Sequence, residues 1–124
     1  MTTIAEFKTR KNVALDATPN TSAGMNRTLK LTLKRKWFDM IASGEKREEY
    51  RTPGSWILSR LEGKEYDKIE FKNGYGANVP TMEVEYLSWK YSHGKREWGG
   101  GSTTGPFATI MLGRVLKLEN YTKP

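Results

Sequence analysis

The chain has 124 residues with no cysteine and one histidine, and it carries 21 lysines and arginines against 14 acids, a net charge of +7. That length fits one domain. The composition excludes disulfides, thiolate metal sites, a cysteine nucleophile and a multi-histidine metal centre. The cationic surplus favours a polyanionic partner: RNA, DNA, a nucleotide or an acidic protein.

The start, Met1-Thr2-Thr3-Ile4-Ala5-Glu6, has neither the charged beginning nor the apolar middle of a signal peptide. No apolar run approaches the roughly 20 residues of a bilayer span. A soluble, cytoplasmic, monomeric protein without a membrane partner is expected. Residues 1–27 place Ile4, Phe7, Val13, Leu15 and Met25 without any period, and 16–24 are turn and linker chemistry. They read as a flexible N-terminal tail with a surplus of +2, so residues 28–124 form the domain and keep +5 of the total +7.

The domain begins at Thr28, where Leu29, Leu31 and Leu33 alternate with polar residues as in a half-buried strand. Trp37, Phe38, Met40 and Ile41 predict a helix over Arg35–Ser43, with Gly44 as a left-handed cap. Lys46–Arg51 reads as extended and stops near Pro53-Gly54. Trp56, Ile57, Leu58 and Leu61 predict a short second helix. Ile69 and Phe71 mark another strand, followed by the hairpin signal Asn73-Gly74. Met82, Val84 and Tyr86 mark the next, extending toward Tyr91. Residues 94–105 form a glycine-rich loop. Phe107–Leu112 is apolar on both parities and reads as a central strand, with Val115, Leu116 and Leu118 prolonging the pattern. Strands dominate a short chain, so the expected class is α+β: a small mixed β-barrel with one or two flanking helices.

The chemistry concentrates in residues 34–51. Lys34, Arg35 and Lys36 open the first helix, where free backbone amides favour an anion and the dipole disfavours cations. On a strand from Lys46, side chains alternate, so Lys46 and Arg51 have opposite parity. They converge only if Lys46 sits at the strand entrance or a bulge intervenes. A lysine and an arginine that do converge suit a phosphate or a polarised carbonyl. Either Glu48 or Glu49 could stand beside them as base-amine acceptor or general base. An internal Arg51–glutamate pair that fixes a wall is the structural alternative.

Gly44, Lys46 and Arg51 also fit the pattern Gly-x-Lys-x-x-x-x-Arg after a first helix, and here the chain resembles the ASCH domain family of the PUA-like superfamily. Trp37-Phe38-Asp39-Met40-Ile41 is similar to that family's first helix. Phe71-Lys72-Asn73-Gly74-Tyr75-Gly76 is similar to a strand–turn element, and residues 107–113 to the closing strand. The resemblance covers about residues 28–118. It implies a PUA-like barrel with a cleft beside the first helix and a role in RNA binding. Some members are amidohydrolases of acetylated cytidine, and one is a ribonuclease. In the amidohydrolases the third residue after the motif lysine is a threonine nucleophile, whereas here it is Glu49. The chemistry of a hydroxyl nucleophile is therefore missing.

The expected nucleic-acid contacts are Lys34, Arg35, Lys36, Lys46, Arg51, Asn73, Tyr75, Lys95, Arg96 and Trp98. If the protein is an enzyme, Lys46, Glu48 and Glu49 carry the reaction on a modified nucleoside or RNA. Trp98, beside Lys95 and Arg96 on the loop, either stacks on a base or anchors the loop. Trp37, Phe38 and Trp56 are assigned mainly to packing. His93 has no triad context, the carboxylates are dispersed, and neither a metal nor a cofactor is expected. A basic protein-interaction module is the remaining reading.

Overall fold

The structure, a computed structural model, describes residues 27–101 and 103–123. The expected tail lies outside the described residues except for Arg27, whose carbonyl accepts the Asp67 amide at 3.0 Å. The elements run β1 (Thr28–Thr32), α1 (Arg35–Ala42), β2 (Glu48–Arg51), α2 (Ser55–Leu61), β3 (Lys68–Lys72), β4 (Thr81–Ser92), a 3-10 turn (Arg96–Trp98) and β5 (Phe107–Glu119). Five strands form one curled sheet, a half-barrel, in the order β1-β3-β4-β5-β2. Only β1 and β3 are parallel.

Alternation dictates which face curls inward. Leu29 and Leu31 register with Ile69 and Phe71, which register with Val84 and Met82. All six are buried. Phe38 and Ile41, three residues apart on α1, and Ile57 and Leu61, four apart on α2, complete the core from the helices. Register shifts in β4–β5 between Glu83 and Ser88 add the twist that curls the sheet.

Two sequence expectations are corrected here. Asn73-Gly74 does not make a tight hairpin. The β3–β4 connection runs from Asn73 to Pro80 and is closed by the Asn73 amide donating to the Pro80 carbonyl at 2.9 Å. Trp56 is not core: 53% of it is exposed. The buried stripe of α2 is set by Ile57 and Leu61, and Trp56 lies about 100° off that stripe. Among the described residues no helix is long and apolar enough to cross a membrane.

The topology leaves β1 and β2 as the two edges. Arg51 joins them, its Nη2 donating to the Thr32 carbonyl at 2.8 Å. The C-terminal residues strap α1 from outside. Tyr121 donates to Asp39 at 2.9 Å, and Arg35 donates to the Thr122 carbonyl at 2.6 Å.

Candidate functional site

The turn after α1 delivers the motif lysine. Gly44 takes φ +85°, a conformation glycine adopts without a steric penalty, and its amide donates to the Ile41 carbonyl. The chain then folds back, and the Lys46 amide donates to the Met40 carbonyl at 2.9 Å. Lys46 therefore stands at the entrance of β2, outside the strand alternation. This is how residues of opposite parity come to share one carboxylate.

That carboxylate is Glu49. It registers with Ile110 and so faces the inside of the half-barrel, only 5% exposed. A buried acid requires charged partners, and it has two. Lys46 Nζ lies 3.3 Å from Oε1, and Arg51 Nε donates to Oε2 at 2.8 Å. Lys46 Nζ also donates to the carbonyls of Glu48 at 2.6 Å and Trp98 at 2.9 Å. Its three donors thus have three acceptors. The ammonium is further enclosed by the rings of Tyr50, at 4.6 Å, and Trp37, at 5.3 Å. Burial lowers the Lys46 pKa below the ordinary lysine range, against the opposing pull of Glu49.

Glu48 points to the other face. It accepts a 2.6 Å hydrogen bond from the Tyr50 hydroxyl, which itself accepts the Lys95 amide at 2.9 Å. Of the two glutamates, Glu49 is the one that joins the motif cations.

The loop carrying Lys95, Arg96 and Trp98 is packed down over this cluster. Its anchors are the Lys46 bond to the Trp98 carbonyl and the Gly101 amide donating to the His93 carbonyl at 2.6 Å. Gly100 approaches so closely that a Cβ there would meet the Gly94 and Lys95 backbone at 2.7 Å. The main chain of Trp98 thus anchors the loop to the cluster. Lys95 and Arg96 are exposed, and Lys95 Nζ lies over the Trp98 ring at 4.4 Å.

The other expected contacts separate. Lys34 and Lys36 are exposed, Lys36 lying over Trp37 at 4.7 Å. Arg35 is engaged with Asp39 at 2.7 Å and with the C-terminal strap. Asn73 Nδ2 donates to the Leu33 carbonyl at 3.0 Å, a bond that fixes the exit of β1. Tyr75 is 87% exposed.

Tyr75 and Arg51 do share a feature. A groove of about 460 Å³ at the edge of β1 is lined by Lys30, Thr32, Lys72 and Glu70 of the sheet and by Arg51, Trp56 and Tyr75. Lys30 and Lys72 have no ion-pair partner among the described residues. Lys30 and Lys72 were not singled out by sequence, and Trp56 was assigned mainly to packing. The signal for the two lysines was the outward parity of Lys30 and Lys72 on their strands, which becomes a site only once β1 is known to lie beside β3. A larger groove of about 830 Å³ runs between α1 and the C-terminal strap, but its walls include Asp39 and Glu45. Among the described residues no three His, Asp or Glu side chains are grouped to hold a metal ion.

No protein-family model, curated protein or solved structure matches the chain.

Proposed function

We propose that this chain is an RNA-binding domain of the ASCH, PUA-like type, which takes a nucleotide or RNA phosphate into the basic groove beside Arg51. One observation carries the reading. The guanidinium of Arg51 is anchored through Nε on Glu49 and through Nη2 on Thr32, while its side chain remains about one-quarter exposed and lines the groove with Lys30 and Lys72, which have no ion-pair partner among the described residues. A held guanidinium beside two such ammoniums suits a phosphate oxygen.

Two features weigh against the hydrolase alternative. Lys46 has no donor left to polarise a substrate, and both oxygens of Glu49 are engaged by cations. The position of the threonine nucleophile is held by Glu49 itself.

The test is an anisotropy titration with short single-stranded RNA at several salt concentrations. Affinity is expected to fall with salt, since phosphate contacts release counterions. In a Lys30→Ala/Lys72→Ala double variant the log–log slope should flatten by about 1.4, at ~0.7 per lost contact on a single strand. A slope identical to wild type would mean that diffuse charge, and not the groove, holds the RNA.

A further inference from the structure

We infer that the groove at the β1 edge seats an unpaired base, stacked on Trp56 with Tyr75 beside it, of a single strand whose phosphate meets Lys30, Lys72 and Arg51. This deepens the proposed RNA-binding reading and rests on it.

Two large aromatics are left in water on the same concavity, Trp56 at 53% exposure and Tyr75 at 87%. Leaving such surface exposed forgoes hydrophobic stabilisation, and neither ring is needed by the core cluster. Trp56 is also held in place. Arg60, one turn later on α2 and outside the groove lining, covers the indole at 4.1 Å. Arg60 takes one face of the indole, and with 53% of Trp56 exposed the opposite face is the one a flat ligand would stack on. Tyr75 stands between Gly74 and Gly76, both at positive φ, on the connection that borders the same space.

The charge defines the ligand further. Three cations and one acid, Glu70, give the lining a net +2. That matches one phosphate with a neutral base better than a polyphosphate. The volume, about 460 Å³, is within the roughly 300–1,000 Å³ of small-molecule sites. Every base has a π-face, but in a duplex those faces are already stacked, so aromatic platforms select unpaired strands.

The experiment titrates one RNA sequence, single-stranded and as a duplex, against the wild type and the Trp56→Ala, Trp56→Phe and Tyr75→Ala variants. Denaturant unfolding of each variant serves as the folding control. The single strand should bind more tightly than the duplex. Trp56→Ala should lose about tenfold or more in affinity with an unchanged salt slope, and Trp56→Phe should keep most of it. Salt-sensitive RNA binding that is indifferent to Trp56 and Tyr75, or equal for the duplex, would overturn this inference and leave the RNA-binding reading standing. No binding of any RNA by a folded wild type would overturn both.

Discussion

Glu49 shows how a buried charge organises its surroundings. It sits on the inward face of β2 opposite Ile110, where an unpartnered carboxylate would be prohibitively costly. Lys46 and Arg51 make it tolerable, and in return it orients both. Glu49→Gln leaves the enclosed Lys46 ammonium without its counter-charge. It should cost about 3–5 kcal/mol in chemical denaturation. Lys46→Met leaves Glu49 still paired with Arg51, so it should cost less than Glu49→Gln.

The tyrosines give a second prediction at this scale. Burial, aided by Tyr66, raises the Tyr86 hydroxyl from 10.0 to about 12, and burial together with the bond to Glu48 also raises Tyr50. The unfolded chain releases these protons near pH 10, while the folded chain holds them longer. The folded state then binds more protons, and stability falls as pH rises from 10 toward 12. Lys46 has the opposite sign: its lowered pKa adds stability only until the pH reaches the ordinary lysine value of 10.5, so across most of the window above it the tyrosines set the slope. The urea midpoint should therefore decline across this window, and Tyr50→Phe should make the decline shallower.

At the scale of elements, Arg51 acts as a clasp between edge strands that share no ladder. Arg51→Lys keeps the charge but loses the planar fork that reaches both Glu49 and the Thr32 carbonyl. We expect about 1.5 kcal/mol or more of destabilisation. Amide exchange should speed up first in β1 and β2, with β3–β4 little changed. Equal acceleration throughout the sheet would show that the edges are held by packing alone.

The elements also show what a sequence can disclose. Leu29/Leu31, Ile69/Phe71 and Met82/Val84 announced their strands because one face of each is core and alternation records that directly. The start of β5 was equally plain, since Ala108, Thr109 and Ile110, just inside the strand, are all buried. Trp56 was misjudged because hydrophobicity gave no warning that Ile57 and Leu61 had already claimed the inward stripe. The groove was hidden for a topological reason: Lys30 and Lys72 meet through a parallel pairing of strands far apart in the chain. The entrance position of Lys46 was one of two geometries that could unite it with Arg51, and only the fold-back onto Met40 distinguishes it from a bulge.

For the whole molecule, the charge surplus has two roles. Lys30, Lys72 and Arg51 form a localised site, whereas Lys34, Lys36, Lys95 and Arg96 are exposed elsewhere on the surface. Exposed cations steer a polyanion without reading it. Lys95→Ala/Arg96→Ala should slow association with RNA several-fold at low salt. The difference should shrink as salt screens the field, and single-strand preference should be unaffected. A loss of that preference would place the loop in direct contact with bases.

The pairing of β5 with both β4 and β2 bears on how the protein is made. A ribosome releases the chain from its N-terminus, so β2 emerges long before the strand that must flank it. Until Phe107–Glu119 is out, the acid on β2 has no wall to face and its edge has no neighbour. Contacts this distant in sequence fold slowly, and the waiting strand is a point of misassociation. A nascent chain stopped before Phe107 is thus no smaller working domain but an open sheet, with β2 lacking the strand it pairs with and β4 an uncovered edge.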